Sequence, residues 1–238
     1  MRVEILGVPI DGLDFDAALE RAWAFLDAPG PHLVFTPNPE ILLAAQHDPE
    51  LRATLCAADL SLPDGVGVVW AARRLGRPVP ERTPGIDFFL ALLGRAAAEG
   101  RSVYFLGTRP ERVARAAEEA VRRFPGLQVA GYRDVFFPAG ESAAVASAVA
   151  ASGAELLFAG LGAPKEQRWL AANRGRLGLR LAMGVGGSFD VLAGAVQRAP
   201  RLFQRLGVEW LWRLALEPRR WRRQLALPRF VWEVWRSR

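Results

Sequence analysis

Short apolar runs recur along this chain, each closed by a turn rich in Gly, Pro or Asp and each followed by a helical pattern. Residues 103–106 run into Gly107-Thr108-Arg109-Pro110 and then a helix to Arg123, and residues 127–131 read as the next strand. The unit repeats as a helix over 141–152, a strand over 155–160 and the turn Leu161-Gly162-Ala163-Pro164. A helix then opens at Lys165-Glu166-Gln167-Arg168-Trp169. A last strand over 179–183 ends in Gly184-Val185-Gly186-Gly187-Ser188-Phe189-Asp190. Strands separated by helices are not joined by tight hairpins, so the alternation calls for a parallel sheet with crossover helices on its faces. The expected fold class is therefore α/β, a Rossmann-like parallel sheet flanked by helices. Sheets of this kind take ligands at the carboxyl ends of their strands, which makes the turns after the strands the places to search.

The earlier turns carry the polar residues. Residues 3–8 read as a first strand and 9–12 as a turn, and Asp14 or Asp16 caps a helix to about Asp27. Asp14-Phe15-Asp16 spells a metal-binding pattern, but its place at a helix start favours capping. Residues 33–35 form a short buried strand that ends in Thr36-Pro37-Asn38-Pro39-Glu40 and opens a helix over 41–47. Thr36 and Asn38 either cap that helix or face a ligand at its N-terminus. A strand over 58–62 leads to Pro63-Asp64-Gly65-Val66-Gly67, where Asp64 is either the next helix's cap or a catalytic carboxylate. Arg82 and Asp87 flank the start of a helix running to Glu99 and are close enough in sequence to pair. Gly107 and Thr108 place backbone amides where a phosphate could sit. Neither glycine loop is a Walker loop or a full dinucleotide fingerprint, because Phe189 stands where the third glycine should be.

Other chemistries are set aside by what surrounds the candidates. His32 precedes a strand and His47 ends a helix, and neither has a serine elbow to serve, which argues against a Ser/His/Asp hydrolase. The single Cys56 excludes an internal disulfide and reads as a small core residue, and no clustered ligands suggest zinc. The start of the chain is too short and too acidic for a signal peptide, so a cytoplasmic location is expected.

The last 41 residues differ from the rest. Residues 198–238 hold eleven Arg against three acidic residues and five of the eight Trp, while the whole chain is only +6. Residues 1–197 are thus expected to form a catalytic α/β domain and 198–238 a helical appendage. Leu202, Phe203, Leu206, Trp210, Leu211 and Leu214 recur at three- and four-residue steps, the spacing of one helix face. Arginines beside Trp, Phe and Leu suit a lipid interface, and no run approaches the ~20 apolar residues of a spanning helix. Core packing of the first tail helix is the competing reading. Nucleic-acid binding is disfavoured, because no recognition module is visible. The apolar tail also makes a homo-oligomer plausible.

Four stretches, in their order and spacing, carry a resemblance. They are Thr36-Pro37-Asn38-Pro39-Glu40, Pro63-Asp64-Gly65-Val66-Gly67, Glu81-Arg82-Thr83-Pro84-Gly85-Ile86-Asp87, and Gly184 to Asp190 leading to Arg198-Ala199-Pro200. The tail adds Glu209-Trp210-Leu211-Trp212-Arg213-Leu214 and Glu217-Pro218-Arg219-Arg220. Together they resemble the WecG/TagA/CpsF family of bacterial glycosyltransferases across essentially the whole chain. The resemblance implies transfer of N-acetylmannosamine, its uronic acid or glucose from a UDP-sugar to a polyprenyl-diphosphate-linked acceptor in cell-surface glycan synthesis. It implies an inverting, metal-independent enzyme with no cofactor, peripheral on the inner face of the cell membrane. By the same resemblance Asp64 matches the catalytic base, grouped with Thr36, and Asn38 belongs to the substrate pocket. Arg82 and Asp87 match the family's loop motif, Gln167 lies in the segment lining the nucleotide side, and Gly186 is counted among the substrate-binding residues. Arg213, Arg220 and Arg223 match tail arginines that reach the active site. One departure is visible: the family usually reads Pro-Lys-Gln-Glu-x-Trp, whereas this chain reads Pro164-Lys165-Glu166-Gln167-Arg168-Trp169. Neighbouring helix positions point about 100° apart, so the exchange bears on which of Glu166 and Gln167 faces the nucleotide.

Two alternatives stand beside this reading: a nucleotide-dependent Rossmann oxidoreductase, and a non-catalytic membrane adaptor using the Arg/Trp tail. An inverting transfer needs a base for the acceptor hydroxyl and stabilisation of the leaving diphosphate. Asp64 is expected to supply the first. Helix N-termini, glycine-loop amides and arginines, including those of a tail folded over the pocket, are expected to supply the second.

Overall fold

A computed structural model describes residues 2–216 and 225–237 of the chain. Its first feature departs from the sequence expectation. Residues 3–8 are not one strand; β1 (Arg2–Ile5) and β2 (Val8–Asp11) form an antiparallel hairpin. The turn falls at Leu6 and Gly7, whose φ angles of 51° and 79° are the left-handed pair that a two-residue hairpin turn requires. A near-continuous apolar run hid this, because Val3, Ile5, Leu6, Val8 and Ile10 are all buried on either side of and within the turn.

The remaining elements run α1 (Phe15–Ala24), β3 (His32–Phe35), α2 (Pro39–Gln46), α3 (Pro49–Cys56), β4 (Leu60–Ser61), α4 (Val66–Arg74) and α5 (Gly85–Glu99). They continue as β5 (Ser102–Gly107), α6 (Pro110–Arg123), β6 (Gln128–Arg133), α7 (Ser142–Ala151), β7 (Leu156–Gly160), α8 (Lys165–Asn173), β8 (Leu181–Gly184) and α9 (Ser188–Leu192). The tail supplies α10 (Arg201–Arg205), α11 (Glu209–Leu216) and α12 (Ala226–Arg236). Helix starts follow the sequence: Asp14, Asn38 and Asp48 each accept a backbone amide three residues on, and Pro follows two of them at the first helical position.

Strands β3 to β8 form one six-stranded sheet in the order β4-β3-β8-β7-β5-β6, with every pairing parallel. This is the α/β arrangement the alternation demanded. Side chains alternate across it into two apolar cores. Phe35, Leu106, Leu157 and Ala182 face one core, shared with α2, α3, α4, α7 and α8. Val34, Phe105, Phe158 and Met183 face the other, shared with α1, α5, α6 and α9. Phe89, Phe105, Phe158 and Phe189 pack edge to face or tilted there, Phe89 and Phe158 with centroids 4.8 Å apart, which seats α9 beneath the loop after β8.

Two further expectations are corrected. Cys56 is exposed at the end of α3, its Sγ 3.3 Å from the carbonyl of Gly7, rather than in the core. The amphipathic pattern of the tail is not one helix. It breaks between α10 and α11 at Gly207, whose φ of 71° is a helix-ending conformation that glycine adopts without strain. Helix α12 then packs against α2 and α4 through Phe230 and Val234, both fully buried, while Val231, Trp232 and Trp235 stay exposed.

Candidate active site

The sheet order places β3, β4, β7 and β8 side by side, and the turns after them close around a cleft of about 500 Å³. Thr36 and Asn38 come from the turn after β3, Asp64 and Gly65 from that after β4, Glu166 and Gln167 from the start of α8, and Gly184–Ser188 from the turn after β8. The tail contributes as well: Gly207, Glu209, Trp210, Ala226 and Leu227 border the same space. The turns after β3 and β4 and the loop before α5 are stitched together by their backbones. The Asp64 amide donates to the Pro37 carbonyl at 3.1 Å, and the Thr83 amide donates to the Pro63 carbonyl at 2.8 Å.

The choice left open for Asp64 is narrowed by geometry. The N-cap of α4 is Gly65, with φ of 94°, so Asp64 stands one residue before the cap position. Asp64 borders the cleft at the end of β4. Asn38 does act as a cap, its Oδ1 accepting the Ile41 amide at 3.1 Å, and it borders the cleft at the same time. Thr36 faces the first turn of α5 so closely that a Cβ on Gly85 would lie 2.6 Å from its Oγ1. Glycine at that position is what lets α5 begin against the cleft.

Arg82 and Asp87 do not pair with each other. Arg82 donates to Glu209 on α11 at 3.3 Å and to the carbonyl of Gln204. Asp87 receives both terminal nitrogens of Arg198, at 2.6 and 2.8 Å, and Arg198 also reaches Glu209 at 3.5 Å. A chain of alternating charges thus runs from Asp87 through Arg198 and Glu209 to Arg82. It ties the loop before α5 to the tail, and Arg82 at its end borders the cleft while Asp87 does not.

Gly107 and Thr108 are not among the residues that border the cleft. Strand β5 lies beyond β7 in the sheet, so the turn after it falls one strand further along the same edge. The Thr108 amide is spent on the Gly160 carbonyl at 3.0 Å, and its hydroxyl donates to Asp190 at 2.6 Å. Arg220 and Arg223 lie outside the described residues, as does the side chain of Arg213.

Glu166 is the residue that sequence reasoning passed over in favour of Gln167. Both line the cleft, 2% and 6% exposed. Glu166 accepts the Gly162 amide at 2.9 Å, the Gly186 amide at 3.0 Å and the Gln167 side-chain amide at 3.3 Å. Burial pushes its carboxyl up to about 7, against the opposing pull of those hydrogen bonds. The signal in the sequence was a carboxylate in a helix's first turn four residues after a glycine turn, a pattern common enough to mean only a favourable helix start. Among the described residues no group of three or more His, Cys, Asp or Glu could hold a metal.

An open parallel sheet whose strand ends gather a carboxylate, glycine turns and an arginine around one cleft defines an α/β enzyme of the nucleotide-binding type. Comparison with known proteins makes this specific. The chain belongs to the WecG/TagA/CpsF family of glycosyl transferases, whose family model matches residues 3–238. It is a glycosyltransferase on that ground. It is 38% identical over 232 residues to the N-acetylglucosaminyldiphosphoundecaprenol N-acetyl-beta-D-mannosaminyltransferase of Bacillus spizizenii, covering 95% of this chain and 90% of that protein.

Proposed function

We propose that this chain transfers an N-acetylmannosamine-type sugar from a UDP-sugar to the sugar of a polyprenyl-diphosphate-linked N-acetylglucosamine. The donor and acceptor are suggested by the name of the Bacillus spizizenii relative together with the family. The observation that carries the mechanism is Asp64: a carboxylate residue at a strand's carboxyl end, bordering the cleft one residue before the N-cap of α4.

In this mechanism the acceptor hydroxyl loses its proton to Asp64 as its oxygen attacks the anomeric carbon. The bond from that carbon to the diphosphate breaks on the opposite face, UDP leaves with the electron pair, and the configuration inverts. No metal is invoked. The charge growing on the diphosphate meets Arg82 and the N-terminal amides of the helices that open onto the cleft. Tail arginines beyond α11 join them in this proposal.

Residues 198–238 act here as an appendage that holds the enzyme on the cytoplasmic face of the membrane, where a polyprenyl acceptor resides. Support comes from the helices around the cleft: Leu202, Leu206, Leu211, Trp232 and Trp235 are exposed, the last two at 55% and 58%. Exposed Trp and Leu beside arginines suit the headgroup region. Among the described residues no helix is long and apolar enough to cross a membrane.

The test is UDP release from a panel of UDP-sugars with a short-chain lipid-diphosphate N-acetylglucosamine acceptor. Acceptor-dependent release from UDP-N-acetylmannosamine is expected. Tight UDP binding without turnover on any donor would point to a different acceptor, and absence of UDP binding would overturn the proposal.

A further inference from the structure

The pair at the start of α8 holds an imbalance. Gln167 donates through Nε2 to Glu166, but its Oε1 is buried and has no hydrogen-bond partner among the described residues. A buried acceptor left without a donor is costly, and such a cost in a cleft is commonly recovered when a ligand supplies the donor. Glu166 decides where that acceptor points. Its two oxygens receive amides from Gly162, in the turn after β7, and Gly186, in the turn after β8. One carboxylate thus bridges two neighbouring strand-end turns and fixes the Gln167 carboxamide at the same time. Gly184 is close-packed on both: a Cβ there would lie 3.2 Å from Glu166 Oε1 and 3.4 Å from Gln167 Nε2. The pair therefore has little freedom to reorient.

We propose that Glu166 is a positioning residue that locks the two glycine turns together and presents the Gln167 Oε1 to one N–H or O–H donor of the bound nucleotide sugar. The proposal rests on the nucleotide-sugar reading above. Three kinds of donor share this chemistry: the imide N–H of the base, the ribose hydroxyls, and a hydroxyl or amide of the transferred sugar. UDP alone carries the first two and not the transferred sugar's, so comparing UDP with the full UDP-sugar tells the uridine from the transferred sugar.

The experiment is a double-mutant cycle read by calorimetric titration of UDP and of UDP-N-acetylmannosamine into the full chain. Glu166→Gln changes shape least, but it leaves one acceptor oxygen for two glycine amides and sets an NH₂ against the second. Gln167→Leu removes the orphan acceptor outright. Each single variant is expected to weaken binding by about tenfold, the equivalent of about one hydrogen bond. The double variant is expected to be no weaker than Gln167→Leu alone, because Glu166 acts through Gln167. Weakening of both ligands assigns the donor to the uridine, base or ribose, and weakening of the UDP-sugar alone assigns it to the transferred sugar. Should Glu166→Gln not fold, Glu166→Asp keeps the carboxylate, withdraws it from the glycine amides and is expected to give the same pattern.

Losses that simply add in the double variant would make Glu166 a structural staple and overturn the proposal, as would unchanged binding in Gln167→Leu. Both of those outcomes leave the nucleotide-sugar reading intact, since wild type still binds UDP. A wild type that binds neither ligand would overturn both.

Discussion

Replacing Glu166 with Gln should remove a pH dependence from the stability of the fold. The group is 2% exposed, and burial moves its carboxyl from 4.5 to about 7. The folded chain therefore holds this proton more tightly than the unfolded chain, in which the side chain titrates at its ordinary value. A carboxyl raised in this way contributes stability that is complete below about pH 4.5 and is lost as pH rises through about 7. At about 1.4 kcal/mol per unit, the displacement corresponds to about 3 kcal/mol over the whole window. Glutamine has no proton to take up, so the variant lacks this contribution at every pH. Urea unfolding of both proteins at pH 5 and pH 8 isolates the effect, because the other titrating groups cancel in the difference between them. Wild type should gain about 2–3 kcal/mol on the variant in going from pH 8 to pH 5. A difference that does not change with pH, or one that moves in wild type's favour toward pH 8, would refute the reasoning.

Other consequences are smaller in scope. Gly85→Ala puts a Cβ 2.6 Å from Thr36 Oγ1, so the start of α5 must shift, and turnover should fall by about 10²-fold in a steady-state assay with the fold retained by circular dichroism. Phe230→Ala empties a fully buried site between α12 and the body, at a cost of about 3–5 kcal/mol. Because α12 lies at the end of the chain, it should release locally, and limited proteolysis should clip the C-terminus well before the body unfolds. Trp232→Ser with Trp235→Ser removes exposed rings only, so co-sedimentation with anionic lipid vesicles should drop while the thermal midpoint holds within about 2 °C.

How much of this was legible in the sequence depended on the range of the signal. The parallel sheet was, because strand–turn–helix alternation leaves few other topologies. Thr36, Asn38 and Asp64 stood out because each sits just after a strand, and Arg82 stood out through the loop motif of the resemblance; all four border the cleft. The site's other members depend on strand order, which single-sequence patterns do not carry. Gly107 and Thr108 look like a ligand turn in isolation, and only the position of β5 beyond β7 takes them away from the cleft. Glu209 and Arg198 enter through contacts spanning more than a hundred residues, with Arg82 and Asp87 respectively. Glu166 and Gln167 could not be separated by helix periodicity, since adjacent positions diverge by about 100°. In the folded chain both border the cleft because the β8 loop closes over the first turn of α8 and engages Glu166 from above. The hairpin turn at Leu6 was concealed by a near-continuous apolar run and by a leucine in a conformation it seldom adopts.

The central claim is that Asp64 is the general base of a sugar transfer. The most direct measurement compares wild type with Asp64→Asn for formation of the disaccharide lipid from UDP-N-acetylmannosamine and a short-chain lipid-diphosphate N-acetylglucosamine, with UDP affinity measured in parallel. Loss of the base should lower the rate by about 10²–10⁴-fold while UDP affinity stays within a few-fold. Product formed by Asp64→Asn at the wild-type rate would contradict the account and move the base elsewhere in the cleft.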